Sequence, residues 1–148
     1  MNITLLANHD IASNLALNLL LPKLTAHRIT LYLSSRVGQA GTKPQALEAL
    51  QSFDQALLQN LTDESNSHST IDSKLQSFSA LGELIGTPVK TLNHINSPAG
   101  QNIVAADKPD LIVTIRYGVI LQQPVVALPR HGVINLHSGP LPDYRGVM

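Results

Sequence analysis

Residues 133–146 read Val133-Ile134-Asn135-Leu136-His137-Ser138-Gly139-Pro140-Leu141-Pro142-Asp143-Tyr144-Arg145-Gly146. The stretch opens as a strand. Successive side chains on a strand point to opposite faces, so Asn135 and His137 share one face while Ile134 and Leu136 turn toward apolar surroundings on the other. Pro140 and Pro142 cannot continue a central strand, and the chain must leave the sheet soon after His137. The two polar residues therefore stand at a strand's C-terminal end, where open α/β sheets hold their ligands.

An amide and an imidazole at such a place suit acyl transfer to an amine. The neutral ring can take the proton that the attacking amine sheds, and an amide N–H can donate to the oxyanion developing on a carbonyl. The same spacing also describes a strand end with two satisfied polar side chains, and spacing alone does not choose between them.

Working outward, residues 110–115 (Asp-Leu-Ile-Val-Thr-Ile) form a nearly unbroken apolar and β-branched run, as expected of a strand covered on both faces. Tyr117-Gly118-Val119-Ile120 then make a turn, residues 121–129 a short helical connection, and His131-Gly132 the entry to the last strand. Nearer the N-terminus, residues 3–7 read as the first buried strand. A helix follows, capped by Asp10 and stopped at Pro22, with Ala12, Leu15, Ala16, Leu19 and Leu20 on its apolar side and Asn14 and Asn18 on the other. Residues 28–33 alternate as a second strand. Behind Pro44, Ala46, Leu50, Phe53, Leu57 and Leu61 set one apolar stripe along a helix, read as core. Residues 62–70 are a polar loop. Ile71, Leu75, Phe78 and Ile85 mark a further helix closed by Gly86, residues 88–92 a short strand, and Ser97-Pro98 the cap and first turn of a helix reaching about Asp107. Strands alternating with helices predict an α/β fold with a doubly wound, mostly parallel sheet.

Two stretches resemble the folate-dependent formyltransferases, the family of methionyl-tRNA, glycinamide ribonucleotide and sugar N-formyltransferases. Asn135-Leu136-His137 matches the family's Asn-x-His, and Tyr144-Arg145-Gly146 its closing aromatic-Arg-Gly. Between them Ser138-Gly139 replaces the usual small pair, and Pro140-Leu141-Pro142 replaces Leu-Leu-Pro at the same length. Upstream, Pro109-Asp110 before the strand and Tyr117-Gly118-Val119-Ile120 after it are similar to the family's Pro-Asp strand and aromatic-Gly turn. The resemblance implies a Rossmann-like N-terminal formyltransferase domain with 10-formyltetrahydrofolate as donor and a primary amine as acceptor. It also implies Asn135 and His137 as the catalytic pair, with Tyr117, Gly118, Val119, Ile120 and Leu141 beside the folate. The family's catalytic aspartate lies further on than Met148, and Asp143 does not match it. Residues 1–148 are thus expected to be one incomplete domain, truncated at the C-terminus and weak or inactive alone. A folate-binding or oligomerising module without turnover, and hydrolysis of the formyl donor, are the alternatives.

Composition limits the partners. Ten basic residues balance ten acidic ones, and no cationic excess offers itself to a polyanion, so this segment is not expected to grip nucleic acid; tRNA would need a domain outside the chain. That balance, with no glycine-rich turn after the first strand, favours a small-molecule amine such as an amino sugar over a ribonucleotide. Asp10 would also repel a phosphate at that helix start. With no cysteine, thiol catalysis and cysteine-ligated zinc are excluded. No metal site is expected, since His9, His27 and His94 are isolated and none of them forms an i, i+4 pair with an acidic neighbour. The absence of a signal-like or membrane-length apolar segment makes the cytoplasm the expected compartment and a membrane an unexpected partner. A homo-oligomer stays open.

Overall fold

The computed structural model describes residues 1–35, 45–62 and 75–137. The expected Pro140–Pro142 turn, Leu141 and Tyr144-Arg145-Gly146 lie outside them. Five parallel strands form one sheet in the order β3-β2-β1-β4-β5, with β1 at Asn2–Asn8, β2 at Arg28–Ser34, β3 at Lys90–Thr91, β4 at Leu111–Ile115 and β5 at Val133–Leu136. The helices are α1 (Ile11–Leu20), α2 (Gln45–Thr62), α3 (Phe78–Leu84), α4 (Pro98–Ala106) and α5 (Gln123–Val126). The doubly wound architecture is the one expected. Its order reverses between β1 and β4, so a switch-point crevice falls at the C-terminal ends of those strands.

The strand period divides the core in two. Ile3, Leu5 and Ala7 of β1 pack with Leu31, Leu33, Leu17, Leu81 and Ile115 on one face, whereas Leu6, Tyr32, Ile112, Val104, Tyr117 and Val125 fill the other. Continuous apolar runs in β1, β2 and β4 follow from having both faces covered.

Capping agrees with the sequence at two helices. Asp10 Oδ1 accepts from the Ser13 N–H at 2.7 Å at the start of α1, and Ser97 Oγ accepts from Gly100 N–H at 3.1 Å at the start of α4. Gly86, with φ +69, follows α3 as a left-handed stop.

Four expectations need correction. In α1 the buried side chains are Ser13, Asn14 and Leu17, while Leu15 and Leu19 are exposed. The helix is turned this way because Asn14 and Asn18 both donate to Gln76 C=O (3.0 and 3.1 Å), and Gln76 N–H donates to Asn18 Oδ1 at 2.8 Å. In α2, Leu50 and Phe53 are 60% and 65% exposed, and among its described side chains Leu58 is the buried one; Ala46 and Leu61 lie outside those described. Of the helix expected over 71–85, residues 71–74 lie outside the described residues; α3 begins at Phe78, where Ser77 caps it by accepting from Ala80 N–H, and Leu75 is outside it. The strand expected over 88–92 is reduced to Lys90–Thr91.

Candidate active site at the C-terminal edge of the sheet

β5 is paired through Ile112↔Val133, Val113↔Ile134, Thr114↔Asn135 and Ile115↔Leu136. That register carries Asn135 to the C-terminal side of the sheet, on the face of Ile112 and Thr114, with its side chain exposed. His137 follows directly after the strand and is half-buried. Thr114 Oγ1 donates to Asn135 Oδ1 at 2.7 Å, which turns the amide nitrogen to the side away from the threonine. The expectation that Ile134 and Leu136 turn into apolar surroundings is corrected: they are 56% and 55% exposed. β5 is an edge strand of the sheet.

The turn after β4 is tied down at successive residues. Arg116 takes φ +53, a left-handed conformation that costs a non-glycine residue about 1–2 kcal/mol. Its Nε donates to Asp10 Oδ2 at 3.0 Å. Tyr117 buries its ring in the second core, and its hydroxyl donates to Leu92 C=O. Gly118 N–H donates to Ser34 Oγ at 2.9 Å. Ile120 is almost fully exposed, and its carbonyl accepts from Asn96 Nδ2 at 2.8 Å. Val119 is half-buried against the second core. Of the expected folate-side residues, Tyr117 thus spends its side chain as a core plug and Gly118 spends its N–H inside the protein, which leaves Val119 and Ile120 as the outward part of the turn.

A closed ring of polar groups links this turn to the switch point. Ser34 Oγ, which accepts from Gly118, donates to Asn8 Oδ1 at 3.1 Å; Asn8 Nδ2 donates to Asp10 Oδ2 at 2.9 Å, where Arg116 also arrives. Burial pushes the Asp10 carboxyl up, but hydrogen bonds from the Ser13 backbone, Asn8, the Ser13 hydroxyl and Arg116 together hold it below its ordinary value. Nothing local in the sequence marks Arg116. The available signal was topological: residues ending two strands that flank a switch point meet in space.

Asn135 is thus exposed at this strand end, with its amide nitrogen on the side away from Thr114. A separate cleft of about 570 Å³ lies between α3 and the ends of β2 and β3, lined by His9, Phe78, Glu83 and Lys90 among others, and Asn135 and Tyr117 take no part in it. Among the described residues no group of three His, Cys, Asp or Glu side chains could hold a metal, and no helix is long and apolar enough to cross a membrane.

Comparison with known proteins gives the family. Residues 58–148 match the family described as formyl transferase, and the chain belongs to that family. It is similar to methionyl-tRNA formyltransferase of Paracoccus denitrificans (strain Pd 1222), 42% identical over 64 residues that cover 43% of this chain and 22% of the relative. It is also similar to methionyl-tRNA formyltransferase of Pseudomonas entomophila (strain L48), 46% identical over 59 residues covering 40% and 19%. The relative from Dehalococcoides mccartyi, with the same name, is 39% identical over 75 residues covering 43% and 24%. The chain thus spans about a fifth to a quarter of the length of these relatives.

Proposed function

We propose that this formyl transferase family member supplies the oxyanion donor and the proton acceptor for transfer of a formyl group from 10-formyltetrahydrofolate to a primary amine. One observation carries the reading: the Asn135 amide stands exposed beside His137 at the C-terminal end of β5, its carbonyl oxygen held by Thr114 and its N–H groups turned outward. The donor brings an activated formyl carbon bonded to nitrogen. The chain's own groups do the rest. As the acceptor nitrogen bonds to that carbon, Asn135 Nδ2 donates to the formyl oxygen gathering negative charge, and His137 takes the proton the nitrogen loses. The oxygen's electron pair then re-forms the carbonyl as the bond from carbon to the folate nitrogen breaks, and that nitrogen takes the proton back from His137 and leaves as tetrahydrofolate. Half-buried Val119 and exposed Ile120, at the outward end of the turn, are the described residues that this reading sets beside the folate.

The relatives' name points to methionyl-tRNA as acceptor, while the even charge balance of this chain favours a smaller amine. Assays with methionyl-tRNA and with an amino sugar, side by side, decide between them. Loss of one oxyanion donor costs about 3 kcal/mol of barrier. Asn135→Ala should therefore lower turnover at least a hundredfold, by the same estimate, with little change in affinity for 5-formyltetrahydrofolate measured by titration. Near-normal turnover in that variant sinks the assignment. His137→Ala should likewise be slow and lose the acid limb of the pH–rate profile; an unchanged profile removes the base role.

A further inference from the structure

We propose that Thr114 is a positioning residue that selects the productive orientation of the Asn135 amide, an inference that rests on the reading above. An asparagine amide presents nearly the same outline with its oxygen and nitrogen exchanged, so an exposed amide with no partner turns either way at little cost. The wrong orientation aims a carbonyl oxygen at an oxygen gaining negative charge. Thr114 removes that choice. It stands directly opposite Asn135 in the β4–β5 ladder, it is nearly buried, and its hydroxyl lies 2.7 Å from Asn135 Oδ1. Branching at Cβ restricts its χ1, so the donor itself is held in place. A donor on the amide oxygen also polarises the amide and strengthens the N–H groups on the other side, by about 10–30% per bond. Val113 and Ile115, the neighbours in β4, face the opposite side of the sheet and cannot substitute.

The test is kinetic. Valine has the shape of threonine without the donor, so Thr114→Val should keep the strand and lower kcat about tenfold, within the range that misplacing a reacting group produces. KM for 10-formyltetrahydrofolate should stay within about twofold, because the change acts on the developing charge and not on folate binding. Thr114→Ser restores the hydroxyl and should recover most of the loss. In an Asn135→Ala background, Thr114→Val should cost nothing more, since there is no amide left to orient. Wild-type kcat in Thr114→Val, alongside an Asn135→Ala enzyme that is at least a hundredfold slower, overturns this inference and leaves the assignment of Asn135 standing. A full additional loss in the double variant, or no recovery with serine, also overturns it, because either marks a structural effect of the strand. Normal turnover in Asn135→Ala removes the underlying reading and the inference together.

Discussion

Asn14 sits where hydropathy alone would put a leucine. It is fully buried in α1, donates to Gln76 C=O at 3.0 Å, and accepts from Asn18 through its side-chain oxygen at 3.1 Å. Replacing it with leucine should destabilise the protein by about 1–3 kcal/mol, because a buried polar cluster loses a member that its neighbours still need. A urea midpoint unchanged from wild type would contradict this. The helical period of α1 was legible, but the face was not: a periodic count sees leucines and cannot see that a carbonyl some sixty positions away requires an amide. Arg116 was illegible for a related reason, since its partner Asp10 is distant in sequence and adjacent only once β1 and β4 pair. The placing of Asn135 at a strand's C-terminal end, with His137 just after it, was legible because that spacing is local.

At the scale of elements, boundaries set by short-range chemistry were readable and packing faces were not. The cap and proline that start α4 are local, and the helix begins where Ser97 and Pro98 put it. α4 also carries a glycine whose reason appears only in three dimensions. A Cβ on Gly100 would lie 2.2 Å from His94 C=O and 2.8 Å from Ile95 Cα, both backbone atoms that cannot swing aside. Gly100→Ala should cost about 1–3 kcal/mol or more through this overlap, despite alanine's better helix propensity. Equilibrium denaturation measures it, and a stabilised variant would show that the loop before α4 yields freely. For α2, a regular apolar stripe was visible at Leu50 and Phe53, yet the described fold turns Leu58 inward and leaves them exposed. Periodicity establishes that a helix has a face, without saying which neighbour reaches it.

Over the whole molecule, the alternation of strands and helices carried the architecture, and the two-sided apolar runs carried the burial of β1 and β4. Strand order was not written in that alternation; it follows from which crossovers pack. The assembled fold has a stability profile that no single element has. Burial pushes the Tyr32 hydroxyl far up, helped by its hydrogen bond to Asp107 and that residue's charge, and burial does the same to Tyr117. Both phenols therefore stay neutral in the fold when the unfolded chain begins to ionise near pH 10, so their contribution is complete below about that pH and is lost as pH rises beyond it. Asp10 acts in the opposite direction: its depressed value means stability present above about pH 4 and lost as pH falls through the folded value. The denaturation midpoint should drop on both sides, and Tyr32→Phe should make the alkaline limb shallower; a limb of the same steepness would assign it elsewhere. β5 has a different consequence. It hangs on a single ladder to β4, with its other edge unpaired among the described residues, whereas β1 is clasped between two neighbours. Amide protons of β5 should then exchange with deuterium sooner than those of β1, so that whatever clasps that loose rim would also steady the Asn135 amide.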